Sequence, residues 1–171
     1  QGGYFISGKF DQFKRTIPYS AFNQAFRELM RQILTESESR IAEWRVKLLK
    51  ALGPNGQLII DAIPELEFII GKQPQVPLPS ATRNSFNYVM QNFVSVFTRV
   101  EHPIVLFLDD LQWADAASLK LISLLMRNLN DPCLLLIGAY RSNEVDIAHP
   151  LNLTLDLIRK EANVTTIELH P

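Results

Sequence analysis

The stretch that most narrows what this chain can fold into is His102-Pro103-Ile104-Val105-Leu106-Phe107-Leu108-Asp109-Asp110-Leu111-Gln112-Trp113-Ala114-Asp115. An unbroken apolar run ends in two acids, and an amphipathic segment follows almost at once. A run of that length bounded by a turn signal reads as a strand buried on both faces, as in a parallel sheet. Open α/β sheets bind their ligands in the crevice beyond the carboxyl ends of the strands, which is where Asp109 and Asp110 fall. Taking two adjacent carboxylates out of water is costly unless a cation or hydrogen-bond donors compensate. Asp115 is placed to cap the next helix, which leaves the other two acids without a structural task. The pair suits a magnesium-dependent phosphoryl-transfer site. Asp109 would hold Mg²⁺, directly or through water, and Asp110 would orient or activate the attacking water.

The rest of the composition excludes more than it selects. At 171 residues, 47% hydrophobic and 20% charged, the chain is long enough to build one domain with a core. Seventeen basic against 18 acidic residues, a net charge of −1, offer no basic excess for nucleic acid or an anionic membrane. No apolar run approaches the roughly 20 residues that span a bilayer, so no membrane segment is expected. Gln1-Gly2-Gly3 does not open a secretory signal, and the expected location is the cytoplasm. Cys133, inside Cys-Leu-Leu-Leu-Ile, reads as a buried inert thiol. A start without Met and an end on a strand-like run suggest a piece of a longer protein.

Taken in order, Tyr4 to Ser7 reads as a short strand. Gly3-Tyr4-Phe5-Ile6-Ser7-Gly8-Lys9 matches the first seven positions of the phosphate-loop pattern G-x-x-x-x-G-K. Phe10 stands where a Ser or Thr must meet Mg²⁺, the middle residues are bulky, and no helix follows, so the match is read as coincidence. Ser20 is expected to cap a helix bearing Phe22, Phe26, Leu29, Met30, Ile33 and Leu34. Thr35 and Glu38 have capping-box spacing before a second helix bearing Ile41, Trp44, Leu48, Leu49 and Leu52, which Gly53-Pro54 should stop. A short helix over Leu58 to Ile63, a further turn over Leu66 to Ile70 and a Pro-rich connector over Gly71 to Pro79 come next. Ser80 is expected to open a long helix that turns Phe86, Val89, Met90, Phe93, Phe97 and Val100 inward until His102-Pro103 breaks it. Beyond the acidic strand the pattern predicts a helix with Leu119, Ile122, Leu125, Met126 and Leu129, ended by Asp131-Pro132, then a second buried strand over Cys133 to Ala139. A helix after His149-Pro150 and a last strand over Val164 to Leu169 complete it. Strands alternating with helices imply right-handed crossovers and a mostly parallel sheet.

Arg141, with Ser142 and Asn143, ends the strand next to the acids. An Arg there can sense a γ-phosphate, or simply pair with Glu144 at the surface. Phe107-Leu108-Asp109-Asp110-Leu111-Gln112-Trp113-Ala114-Asp115, with Gly138-Ala139-Tyr140-Arg141-Ser142-Asn143-Glu144-Val145, resembles the AAA-like ATPase module of signal-transduction ATPases with numerous domains (STAND). The match is nearer to very large bacterial signalling proteins. In these a serine/threonine-kinase-like domain precedes the module, and helical repeats, a GAF sensor and a histidine kinase follow. Tyr4-Phe5-Ile6-Ser7-Gly8-Lys9-Phe10-Asp11-Gln12 and Leu52-Gly53-Pro54-Asn55-Gly56 extend the resemblance over essentially the whole chain.

That resemblance implies a three-layer α/β fold of the P-loop NTPase (ASCE/AAA) type. It spans 1–171 as a partial domain, with a mainly helical insertion over 18–101. ATP and Mg²⁺ are the implied cofactors. Asp109 would be the Mg²⁺-associated Walker B acid, Asp110 the water-polarising acid and Arg141 the sensor. The P-loop and its strand should lie upstream of Gln1, so the sheet should lack a central strand and expose hydrogen-bonding edges open to self-association. The implied partners are the other domains of the parent chain, kinase and sensor among them. The module would act as a nucleotide switch gating those domains. A non-catalytic scaffold is the alternative. A metal-dependent hydrolase built on the paired acids is weaker, because His102, His149 and His170 lack ligand spacing.

Overall fold

In a computed structural model the residues described are 2–14, 16–76, 83–128 and 133–169. Three strands, β1 (Tyr4–Lys9), β2 (Ile104–Asp109) and β3 (Leu134–Gly138), form one parallel sheet in the order β1-β2-β3. The register pairs Tyr4 with Ile104 and Lys9 with Asp109, then Ile104 with Leu134 and Leu108 with Gly138. The carboxyl ends of all three strands therefore meet along one rim of the sheet. The described residues form an α/β fold with a three-stranded parallel sheet, consistent with a P-loop NTPase or AAA domain.

Among the described residues, five α-helices run between β1 and β2: α1 (Ser20–Ile33), α2 (Glu38–Leu52), α3 (Gly56–Ala62), α4 (Glu67–Ile70) and α5 (Arg83–Ser95). Between β2 and β3 lies α6 (Ala116–Asn128), and after β3 comes α7 (Pro150–Arg159). Parallel strands taken consecutively in one direction by right-handed crossovers put their helices on the same face. The burial agrees. Ile6, Leu106 and Leu108 are fully buried on one face of the sheet, whereas Phe5 (58% exposed), Leu135 (56%) and Ile137 (40%) show on the other. Strands β2 and β3 were both expected to be buried, but in β2 Val105 and Phe107 are only half-buried beside the buried Ile104, Leu106 and Leu108, and in β3 Leu135 and Ile137 are exposed because no described element covers that face. The described residues thus supply a sheet and one helical layer.

Helix α1 forms because Phe22, Ala25, Phe26, Leu29, Met30 and Ile33 recur at helical spacing and all are buried. It lies hard against β1: a Cβ on Gly8 would come within 1.9 Å of the Ala21 carbonyl oxygen, so only glycine fits there. Ser20 does not cap α1. The cap position is Tyr19, left-handed at φ 62°, whose N–H is taken by Asp115 at 3.3 Å and whose hydroxyl reaches Asn87 at 2.9 Å. The Thr35–Glu38 box does not form either. Ser37 precedes α2, and the Thr35 hydroxyl instead donates to the Gln32 carbonyl at 2.7 Å, closing α1. Gly53 ends α2 at φ 52°, as glycine after a helix does.

Trp44 of α2 is 1% exposed and packs on Phe97, His102 and Tyr4, with ring centroids 5.2, 4.8 and 6.4 Å away. His102 is more than a loop marker: it is 6% exposed, and its Nδ1 lies 2.9 Å from the Phe97 carbonyl oxygen. Helix α5 ends at Ser95, short of the expected Val100, which is 80% exposed beside a tight Arg99–His102 bridge. Pro77 to Pro79, Ser80, Leu129 and Asp131-Pro132 lie outside the described residues. The segment over Val164 to Leu169, expected as a strand, forms no ladder, and Ile167 and Leu169 are 79% and 89% exposed. A strand exists only by pairing, and no described strand lies beside it.

Candidate functional site

At the rim, β2 leaves the sheet through a sharp reversal. Asp110 is left-handed (φ 52°, ψ 47°), and its N–H donates to Asp109 Oδ1 at 2.8 Å. Asp is among the few residues that tolerate this region, because its short polar side chain bonds locally. The reversal is clamped from β3: the Ala139 N–H donates to the Leu108 carbonyl at 2.9 Å, and the Leu111 N–H donates to that of Ala139 at 2.9 Å. Gly138 makes room for the clamp, since a Cβ there would come within 2.4 Å of Leu111 Cδ1.

Both carboxylates have partners. Lys9, at the end of β1, brings its Nζ to 3.0 Å from Asp109 Oδ2 and 2.8 Å from Asp110 Oδ2. Gln112, 2% exposed, donates from Nε2 to Asp110 Oδ1 at 3.0 Å and accepts the Arg141 N–H at Oε1, 3.4 Å away. The Lys9 ammonium, with help from Gln112, holds the Asp110 carboxyl below the usual carboxylate range against the opposing effect of burial. The same hydrogen bonds, to Asp110 and then Asp109, raise Lys9 above its ordinary value. Asp115 caps α6 as the sequence suggested: its Oδ1 accepts the Ser118 N–H at 2.9 Å.

Asp110 and Arg141 face one cleft of about 890 Å³, whose walls include Lys9, Arg27, Arg31 and Trp113. The Arg141 guanidinium is engaged with Glu144 at 3.2 Å and is 66% exposed, so in this state it makes the surface pair rather than reaching the acids. Arg27 and Arg31 both hold Glu65, at 2.9 and 2.8 Å. Burial opposes ionisation of Glu65, but the two guanidiniums keep its carboxyl below the usual range. Asn23 also lines the cleft, with its buried Oδ1 left without a hydrogen-bond partner.

These residues fit a divalent cation on one side and not a phosphate cradle on the other. Two adjacent carboxylates that already hold one cationic group match the one or two protein ligands Mg²⁺ takes when phosphates supply the rest. Tyr4 to Lys9, by contrast, is strand β1 with its backbone in the ladder to β2, not a loop of inward-turned amides. Among the described residues no group of three or more His, Cys, Asp or Glu side chains is placed to hold a metal by itself.

Sequence reasoning brought Asp109, Asp110 and Arg141 to one rim but missed Lys9 and gave Gln112 no role. The signal for Lys9 was available: a lysine ends the first strand, and parallel pairing of strand ends sets it beside the acids.

A parallel sheet whose central strand ends in a paired acid, beside an arginine-bearing neighbour and a cationic cleft, defines the class of nucleotide-binding α/β ATPase modules. The chain belongs to the AAA ATPase domain family, whose model matches residues 1–137. It is 43% identical over 126 residues to hybrid signal transduction histidine kinase G of Dictyostelium discoideum. That match covers 72% of this chain and 4% of the relative, so the chain corresponds to a small part of that protein's length. No solved structure matches. No described helix is long and apolar enough to cross a membrane.

Proposed function

We propose that this chain is the magnesium- and water-binding half of an ATP-dependent switch module, of the STAND type, in a multi-domain signalling kinase. The observation that carries the reading is the reversal at Asp110, which turns its carboxylate onto a cleft shared with Lys9 and Arg141, while the same lysine bridges Asp110 to Asp109. Asp109 holds the cation, and Asp110 accepts a hydrogen bond from water and aims it for in-line attack. Arg141, on release from Glu144, donates to the phosphate oxygens. Gln112 keeps Asp110 from rotating away. Bound magnesium nucleotide supplies the electrophilic phosphorus and the charge that these groups answer. The helical block over 18–101, inserted in a domain running through 1–171, and the kinase and sensor domains of the parent are what such a switch would move. The relation to a hybrid signal transduction histidine kinase supports that setting.

The test is nucleotide binding and turnover by the full-length parent, with Asp110→Asn as the control. Asp110→Asn should keep binding and lose turnover by about 10²-fold or more. A parent that binds no nucleotide would instead favour the non-catalytic scaffold. The isolated chain should bind ATP poorly and hydrolyse none. Fast turnover by this chain alone, abolished by Asp110→Asn, would overturn the assignment of the phosphate grip to other residues.

A further inference from the structure

Lys9 is the one site residue whose arrangement the switch reading leaves unexplained. Its ammonium does not pair with a single acid, as an ordinary surface lysine does. It lies between two, at 3.0 Å from Asp109 Oδ2 and 2.8 Å from Asp110 Oδ2. Its backbone is fixed: the strand register sets it against Asp109, and its N–H donates to Gln24 Oε1 at 3.1 Å. The side chain beyond that anchor is 59% exposed, whereas that of Asp110 is 14% exposed. The base is therefore held while the tip is free to swing into solvent.

Two carboxylates on neighbouring residues repel each other, and a positive group between them relieves the repulsion. An ammonium and a divalent cation cannot share the place. Magnesium takes oxygens at roughly 2.0–2.1 Å, and the lysine nitrogen already sits against the same two Oδ2 atoms. A doubly charged ion beside a singly charged one would also be repulsive.

We propose that Lys9 is a built-in placeholder for the divalent cation, neutralising the acid pair while the site is empty and giving way when the cation enters. This rests on reading Asp109 and Asp110 as the metal side of the site. Two consequences follow. The cation must compete with the chain's own lysine, so its affinity without nucleotide is kept low. The displaced ammonium becomes available to the anionic part of the ligand only once the cation is in place, which makes cation entry the first step of ordered binding.

The experiment uses the full-length parent without nucleotide, with Mn²⁺ as the probe and free Mn²⁺ read by electron paramagnetic resonance. Lys9→Met should bind Mn²⁺ roughly two- to fivefold more tightly than wild type, the range that competition by an exposed ion pair allows. Lys9→Arg, which keeps the charge, should bind like wild type, and Asp109→Asn should bind more weakly. A second readout needs no substitution: reductive methylation of Lys9, followed by mass spectrometry, should speed up when Mg²⁺ is added. If Asp109→Asn weakens Mn²⁺ binding but Lys9→Met does not strengthen it, the placeholder is wrong and the switch reading stands. A Lys9 methylation rate indifferent to Mg²⁺ has the same meaning. If Asp109→Asn leaves Mn²⁺ binding unchanged, the metal assignment falls and the placeholder falls with it.

Discussion

Asp110 carries the heaviest local demand in the molecule. A left-handed conformation costs a non-glycine residue about 1 kcal/mol or more, and its carboxylate must also tolerate Asp109 next door. Lys9 and Gln112 offset both. The sign of the pH dependence follows. Because the folded state lowers the Asp110 carboxyl, its contribution is complete above the ordinary carboxylate range and drains away as pH falls through the lowered value. Lys9 is raised by the same contact, so its share is present at neutral pH and is lost only as alkaline pH passes that raised value. The small stability difference between wild type and Lys9→Met should be flat through neutral pH and close below about pH 4. Urea unfolding across that range measures it, and a difference that widens in acid would contradict the pairing. Gln112→Leu keeps the shape but takes one hydrogen bond from the part-buried Asp110 carboxylate and leaves the Arg141 N–H without its acceptor. It should cost about 1–3 kcal/mol. Urea midpoints equal to wild type would mean that the amide does not hold Asp110.

Among the elements, the junction of β1 and α1 has the least tolerance. Gly8→Ala drives a methyl group into the Ala21 backbone carbonyl, a contact that no rotamer change relieves. Overpacking of this kind costs about 1–3 kcal/mol. Thermal unfolding should register it as a clear drop in midpoint, and an unchanged midpoint would show that α1 lies farther from the sheet. At this scale the sequence was readable where periodicity decides. The apolar spacing of α1 and α2, the glycine stop at Gly53 and the Asp115 cap are all local facts. The Ser20 cap and the Thr35–Glu38 box failed because tertiary partners won. Asp115 takes the Tyr19 N–H from across the fold, and Thr35 serves the end of α1 rather than the start of α2. Val164 to Leu169 has strand composition, but a strand needs a neighbour, which composition does not supply.

Across the whole molecule the layering is one-sided. Phe5, Leu135 and Ile137 present an apolar sheet face that no described element covers, and Leu153 and Leu157 add half-exposed surface on α7. Apolar patches of this kind drive association. The isolated chain should sediment as a concentration-dependent oligomer, and Phe5→Lys with Leu135→Lys should shift it toward monomer. A single monomeric species at all concentrations would argue against the face being sticky. The parallel sheet, and the rim where Asp109, Asp110 and Arg141 gather, were legible because alternating strands and helices permit few topologies. Lys9 was missed although its place at the end of the first strand was visible, because setting it beside the acids takes the register of β1 against β2, a pairing some hundred positions apart along the chain. Arg141 sits where the pattern put its residue, yet its guanidinium follows the nearer Glu144.

One bond described above reaches further than its length. The Tyr19 N–H to Asp115 contact ties the root of the helical block to the turn that leaves Asp110. Of the two left-handed non-glycine residues among those described, Tyr19 stands at one end of that tie, and Asp110 opens the turn that leads to Asp115 at the other. The bond couples the acidic turn to the start of α1, and the two should open as one cooperative unit. Local opening at the acidic turn would thus travel as a loss of amide protection into the first turn of α1, and the helical block would register the state of the cleft before any larger rearrangement began.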